Sequence, residues 1–182
     1  MAKTCITEKT AQRQRWIEDG LLELMLRSKF EAITVTDLCQ YLGLSRRSFY
    51  RYFHDLEDVL DSLLHHTFQE FAISSRFVTV QELQKNYDFW LKRKDLLKAL
   101  ISSGLSSKIT EFTLQYTDET SILPCLDDND LGMDIRRETR LFIINGSVSL
   151  MVAWYGEGFQ KTPEQMAQIT HRMLTQPILR NR

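Results

Sequence analysis

The sequence predicts an all-α protein. Apolar residues recur at helical spacing along most of the chain, as at Ile17 and Leu21, and no stretch shows the alternation typical of a strand. Helix start signals recur too: Thr34 is followed three residues later by Asp37, and Pro163 opens another apolar stripe. The 182 residues suffice for one large or two small packed units.

The amino-acid composition limits the cellular compartment and the kinds of partner that the protein can have. The net charge is −1 and the pI is near 6.4, so any nucleic-acid site must depend on a local basic patch. Three widely spaced cysteines, Cys5, Cys39 and Cys125, form neither a disulfide framework nor a zinc pattern. The N-terminus lacks a signal peptide, and the apolar stretch 141–155 is too short and polar to span a bilayer. We expect a cytoplasmic protein with no membrane partner.

The first predicted helix runs from Thr7 or Thr10 to about Ser28, with Ile17 and Leu21 on its apolar stripe. A short second helix follows. Thr34 is its N-cap and Asp37 completes a capping box. Gly43 stops it, because glycine takes a left-handed backbone conformation at little cost.

A further short helix is predicted directly after this turn. Ser45 is its N-cap, and Phe49 and Phe53 point inward together. The outward positions hold two pairs spaced four apart, Arg46 with Tyr50 and Arg47 with Arg51. Three arginines and no acid lie between Ser45 and His54.

Two short helices around a tight glycine turn indicate a helix-turn-helix, whose second helix enters the DNA major groove. Arginine can bond guanine in a bidentate way, and hydroxyl groups can bond phosphate oxygens. The candidate DNA-binding residues are Thr34, Thr36, Ser45, Arg46, Arg47, Ser48, Tyr50, Arg51, Tyr52 and His54. A solvated helix explains three arginines equally well, but not the capped pair, the turn and the inward phenylalanines together.

Residues 8–64 resemble the DNA-binding domain of the TetR/AcrR family of bacterial transcriptional regulators. The resemblance is carried by Phe30, Ile33, Thr34, Val35, Asp37, Leu38, Leu42, Gly43, Leu44, Ser45, Phe49, Tyr50, Arg51, Tyr52 and Phe53. The chain departs from the family pattern at Thr36, often Arg, and at Leu56, often a phosphate-binding Lys. Both departures remove charge from the expected DNA face.

The remaining chain also reads as helices. A connecting helix starts near Asp55, and others are predicted at about 80–92, around Leu96 to Ile101, around Ile109 to Tyr116, from about Ile135 to Gly156 or Gly158, and from Pro163. We predict a DNA-binding domain over residues 1–70, including the connecting helix, and a helical effector-binding and dimerisation domain over 71–182.

The last two helices resemble the pair through which TetR-like proteins dimerise. Residues 141–154 are apolar around most of the helix, more than one monomer of this size should bury. A central helix within a monomer is the alternative. The candidate interface residues are Ser149, Ala153, Trp154, Met166 and Met173. A homodimer would read a palindromic operator in double-stranded DNA.

The family resemblance also implies a small-molecule effector bound in the C-terminal body. The candidate pocket residues are Tyr87, Trp90, Phe112, Tyr116, Phe142 and Asn145, with Phe89 as a further aromatic. Aromatic residues at helical spacing also form ordinary cores, and that alternative stays open.

No other chemistry is indicated. Residues 127–138 partly fit a calcium loop, but Leu131 replaces an oxygen ligand, so a solvated acidic loop is preferred and no metal site is predicted. No catalytic motif, cofactor-binding loop or convincing Ser/His/Asp set is present. We therefore predict no cofactor and no enzyme.

The predicted function is a TetR-type, sequence-specific DNA-binding repressor released by a small effector. The alternative is a helical adaptor or co-regulator controlled by a protein partner, with weak DNA binding, which the uncharged Thr36 and Leu56 support. A third possible function is an enzyme whose active site cannot be recognised from the sequence.

Overall fold

The structure, a computed structural model, describes residues 8–74, 79–120 and 133–175. Those residues contain nine α-helices, one short 3-10 helix and no strand, which confirms the all-α class. The helices are α1 (Glu8–Met25), α2 (Val35–Leu42), α3 (Arg46–Phe49), α4 (Leu56–Ser74), α5 (Val80–Lys92), α6 (Lys94–Ser102), α7 (Ser106–Thr120), α8 (Met133–Gly156) and α9 (Pro163–Thr175), with the 3-10 helix at Phe30–Ala32. In the described ranges, no helix is both long and apolar enough to cross a bilayer.

Helix α3 is shorter than the sequence predicts. It ends at Phe49, and the chain then tightens: Arg51 N donates to Ser48 O at 3.3 Å and Tyr52 N to Phe49 O at 2.9 Å. These bonds span three residues, the spacing of a 3-10 turn, so the backbone leaves the α-helical path before His54. The first half of the candidate calcium loop, residues 127–132, lies outside the described residues.

The chain divides into two compact units. The first comprises Met1–Thr67 with Lys98–Leu105, and the second comprises Phe68–Leu97 with Ser106–Arg182. The division near residue 67 is close to the predicted 70/71 boundary, but residues 98–105 belong with the first unit, not the second. There Phe30 N donates a buried hydrogen bond of 3.0 Å to Ser103 Oγ. Local spacing cannot reveal a contact across so much sequence.

The core of the first unit holds α1 against the helix pair. Its fully buried apolar side chains include Ile17, Leu21, Leu38, Phe49, Phe53 and Leu60. Gly20 permits the close approach of α1 and α2, since a Cβ there would lie 2.6 Å from Leu42 Cδ2. Cys39 is buried, as the sequence predicts, and burial raises the pKa of its thiol.

The core of the second unit is rich in aromatic rings. Phe68 packs against Trp90, Phe112 and Tyr116, with ring centroids 5.5 to 5.9 Å apart. A neighbouring cluster joins α5, α8 and α9 through Leu83, Tyr87, Trp154, Met166 and Ala167. These packed helices hold the cavity described below.

Candidate nucleic-acid interface and effector cavity

A reciprocal capping box fixes the start of α2. Thr34 Oγ1 accepts from Asp37 N at 3.2 Å, while Asp37 Oδ2 accepts from Thr34 N at 2.8 Å and from Thr34 Oγ1 at 2.6 Å. The hydrogen bonds from Thr34 lower the pKa of Asp37. The predicted start signal is thereby confirmed.

A left-handed glycine turns the chain between α2 and α3. Gly43 has φ 61° and ψ 32°, a left-handed backbone conformation that is energetically unfavourable for residues with a Cβ. Leu44 N donates to Cys39 O at 2.8 Å, which satisfies a carbonyl at the end of α2. Leu44 itself is buried, so the turn is anchored to the core.

Helix α3 starts at a serine cap and is held by two buried rings. Ser45 Oγ accepts from Ser48 N at 3.1 Å. Phe49 and Phe53 are both fully buried, with ring centroids 6.2 Å apart. Their burial leaves Arg46, Arg47 and other polar side chains of this segment in solvent.

Eight of the ten predicted DNA-binding residues are exposed, and two are half-buried. The exposed ones are Thr34, Thr36, Ser45, Arg46, Arg47, Tyr50, Arg51 and His54; the half-buried ones are Ser48 and Tyr52. The hydroxyls of Thr34 and Ser45 already donate within the caps, to Asp37 Oδ2 at 2.6 Å and to Ser48 Oγ at 2.9 Å. Either would have to leave that partner before donating to a phosphate.

Arg46 and Tyr50 form a pair on this surface. Arg46 Nη2 donates to Tyr50 Oη at 3.4 Å, and the guanidinium lies 5.9 Å from the centroid of the tyrosine ring. That hydrogen bond raises the pKa of Arg46 further, so the guanidinium stays charged. The pair presents a cation and a hydroxyl side by side.

Leu56 lies in the core rather than on the surface. It is only 8% exposed, while its neighbours Asp55 and Glu57 are exposed and acidic. The first turn of α4 thus provides no positive charge at this position. The basic character of the surface depends on the arginines of residues 46–51.

The second unit contains a mostly apolar cavity. It is lined by Phe71, Leu83, Asn86, Tyr87, Trp90, Ile109, Thr113, Ser147, Val148, Met151 and Thr170. Of the predicted pocket residues, Tyr87 and Trp90 line it. Phe112 and Tyr116 are buried beside Phe68 and are not among the lining residues.

Two predicted pocket residues lie elsewhere. Phe142 is 78% exposed, and Asn145 is exposed with its Nδ2 donating to Leu141 O at 2.8 Å. The structure therefore does not bring Phe142 and Asn145 to this cavity. The reason is helical phase: α8 turns Ser147, Val148 and Met151 toward the cavity.

The predicted interface residues also separate into two groups. Trp154 is 1% exposed and donates from Nε1 to Lys161 O at 2.8 Å, and Met166 is 4% exposed, so both are core residues of their own subunit. Their burial within the monomer does not support their assignment to a dimer interface, and the interface itself stays a prediction. Ser149, Ala153 and Met173 are exposed, and Ser149 and Met173 line an apolar groove on α8 and α9 with Phe142, Gly146, Leu150 and Leu174.

Sequence reasoning missed Asn86. It lies on the apolar stripe of α5, three residues after Leu83 and four before Trp90, and is only 6% exposed. A single amide within an apolar stripe was the available signal. Both of its side-chain polar atoms are buried without a partner.

A capped helix-turn-helix with exposed arginines, followed by a separate helical unit, defines a class: DNA-binding transcriptional regulators with one helical regulatory body. A family model described as the transcriptional regulator C-terminal region of TetR type matches residues 80–176, more than half of the chain. The chain therefore belongs to the TetR family of transcriptional regulators.

Solved structures share the fold. A TetR transcriptional regulator from Streptococcus agalactiae is 16% identical, with a TM-score of 0.70 over 92% of this chain and 96% of that one. The fatty acid degradation regulator FadR from Bacillus halodurans is 15% identical, with a TM-score of 0.56 over 96% and 98% of the respective chains. No curated protein gave a significant sequence match.

Proposed function

We propose that the protein is a homodimeric repressor that binds a palindromic operator and is released by a small effector. The observation that carries this proposal is the surface of α3. Arg46, Arg47 and Arg51 are exposed on a segment whose other side is fixed by the buried Phe49 and Phe53. A rigidly mounted basic helix is what major-groove binding requires.

The proposed contacts divide by chemistry. Arg46, Arg47 and Ser48 lie nearest the bases, where arginine can bond guanine O6 and N7. Arg51 adds positive charge to the same surface. The phosphate contacts are Thr36, Tyr50, Tyr52, Thr34 and His54, with Ser45 at the start of the helix. Phosphate contacts set the register, and base contacts set the sequence preference.

Dimerisation is supported by the exposed apolar side chains of α8 and α9. Phe142 is 78%, Met173 46% and Leu174 38% exposed. Large apolar side chains grouped in one groove are typical of interfaces. A two-fold dimer would present two copies of α3 to half-sites about 34–36 Å apart, or a multiple of that distance.

Release by an effector is supported by the cavity between α5, α7, α8 and α9. A ligand shifts a conformational equilibrium only if it binds one state better than the other. The proposed effector favours a state of the dimer that no longer fits both half-sites. When the effector is absent, the dimer occupies the operator and represses transcription.

A second candidate function is a protein-controlled co-regulator with weak DNA binding. The neutral Thr36 and the buried Leu56 favour it, because neither supplies a phosphate contact of the expected charge. The salt dependence of binding distinguishes the two candidate functions. DNA binding falls steeply with salt through counterion release, whereas an apolar protein interface does not require this.

The test is an electrophoretic mobility shift assay of the full-length protein. The DNA probes are the region upstream of the gene that encodes it and duplexes selected from a random pool. Two salt concentrations and competitor DNA are used. We expect a salt-sensitive complex that resists the competitor. Arg47→Ala should weaken it by about tenfold or more, with the sequence preference relaxed.

Arg137→Ala is the matched control, since it removes the same charge from an exposed site on α8. It should leave the complex unchanged. Tyr50→Phe should weaken binding to all sequences alike, as a backbone contact does. No complex with any duplex at low salt would overturn the operator-binding proposal and favour the co-regulator.

A further inference from the structure

Asn86 occupies an unusual position in the second unit. Among the described residues, it alone has both polar atoms of its side chain buried without a hydrogen-bond partner. Burying an amide in this way costs stability, and native proteins seldom leave such groups unsatisfied. A leucine of similar size would avoid this cost. The amide therefore points to a partner that the polypeptide itself does not supply.

The amide belongs to a residue in the wall of a cavity. Asn86 is one of the lining residues, and its neighbours in the wall include Phe71, Leu83, Trp90 and Met151. The open space is about 50 Å³, several times the roughly 10–15 Å³ that one water molecule needs. The cavity can thus hold a small molecule, or the head of a larger one.

Three other polar side chains of the wall already have hydrogen-bond partners. Tyr87 Oη and Thr170 Oγ1 lie 2.7 Å apart, within hydrogen-bond distance, and Thr113 Oγ1 donates to Ile109 O at 2.6 Å. Burial raises the pKa of Tyr87, so its phenol stays neutral. No lining residue is charged. Asn86 is the only amide side chain among the lining residues, and Ser147 adds a hydroxyl.

We propose that the cavity binds a small neutral ligand carrying a carbonyl oxygen beside an N–H, as in an amide or lactam, and that Asn86 is its specificity-determining residue. Asn86 Nδ2 would donate to the ligand carbonyl, and Asn86 Oδ1 would accept from the ligand N–H. This pairing satisfies both buried atoms at once. The rest of the ligand is apolar, because it lies against aromatic and aliphatic side chains.

The ligand is neutral for an electrostatic reason. A carboxylate or ammonium group would lose its hydration in this cavity and find no opposite charge among the lining residues. Only the expected effect of the ligand on the operator complex rests on the proposed function. Binding itself does not depend on it.

The experiment uses the full-length protein labelled with ¹⁵N and 2-pyrrolidinone as the probe. Cyclopentanone is the matched probe, since it has the same ring size and carbonyl but no N–H. Signals of the Asn86 side-chain amide are followed by NMR during titration. We expect a saturable shift with 2-pyrrolidinone and about tenfold weaker binding of cyclopentanone, because the latter leaves Oδ1 unsatisfied.

Asn86→Leu should abolish this preference, so that the two probes bind with similar affinity. Asn145→Leu is the control, since it removes an exposed amide outside the cavity. It should keep the wild-type preference. The comparison of two probes on the wild-type protein remains decisive even if Asn86→Leu folds poorly.

Absence of saturable binding, or equal affinity for both probes on the wild-type protein, would overturn the proposal. So would a crystal structure grown with the probe in which only a water molecule bridges Asn86 Nδ2 and Oδ1. The shift assay is run separately on the same protein. Probe binding without any effect on a DNA complex would refute effector release while leaving the ligand site established.

Discussion

Glu18 Oε2 and His66 Nδ1 lie 2.9 Å apart and join α1 to α4 within the first unit. Glu18 is only 1% exposed, and its Oε1 accepts from Ser62 Oγ at 2.7 Å. A buried carboxylate is tolerated only where it has partners of this kind. The two bonds hold α4 to the helix that supports α2 and α3.

His66→Ala should destabilise the protein by about 1–3 kcal/mol, because it leaves one carboxylate oxygen of Glu18 without its partner. The free energy of unfolding is measured by urea denaturation. In a Glu18→Gln background the same change should cost less, since no buried carboxylate remains. Equal costs in both backgrounds would show that the two side chains act independently.

Asp37 makes stability depend on acid pH. Its pKa in the folded protein is lowered by the hydrogen bonds from Thr34, below the ordinary value of 3.8. The stabilisation is therefore fully present above the ordinary pKa and is lost as the pH falls through the lowered one. Asp37→Asn should lower the melting temperature most near neutral pH, with the difference from wild type narrowing in acid. A difference that is constant with pH would contradict this.

Gly43→Ala should destabilise the protein by about 1–2 kcal/mol, although nothing lies within 4 Å of the added Cβ. The cost comes from the left-handed backbone at φ 61°. Gly43→Asn should cost less, since asparagine tolerates this conformation. Thermal unfolding of both variants distinguishes backbone strain from a steric clash, in which the larger asparagine would be worse.

Phe142→Ser should weaken the proposed dimer by roughly tenfold or more, because each subunit loses an apolar side chain from the interface. Light scattering coupled to size-exclusion chromatography measures the change over a dilution series. Tyr41→Ser is the control, as it removes an exposed aromatic side chain from α2 in the first unit. A dimer unaffected by Phe142→Ser would exclude this groove from the interface.

Local signals predicted most of the helical framework. The bounds of α5 and the start of α9 agree with the sequence, because a threonine cap followed by glutamate and a proline at the first turn act within a few residues. The cap, glycine turn and inward ring pair of α2 and α3 were predicted for the same reason. The early end of α3 was not, since the following bonds of 3-10 spacing left no sequence signal.

Helical spacing also identified apolar stripes, but it does not indicate which other helices pack against them. Trp154 and Phe142 both belong to the apolar part of α8, yet one is 1% and the other 78% exposed. Which face meets α5 and α9 depends on how the second unit packs. Helical spacing alone therefore could not separate the buried side chains of α8 from its exposed ones.

The sequence by itself determined the all-α class, the capped helix-turn-helix and its arginine surface, because each depends on interactions within one or two helical turns. Only the tertiary structure decided that Glu18 meets His66, 48 residues away, that residues 98–105 join the first unit, and that Asn86 lines a cavity. Those contacts join residues far apart in the chain, and no local spacing encodes which distant side chain will be the neighbour.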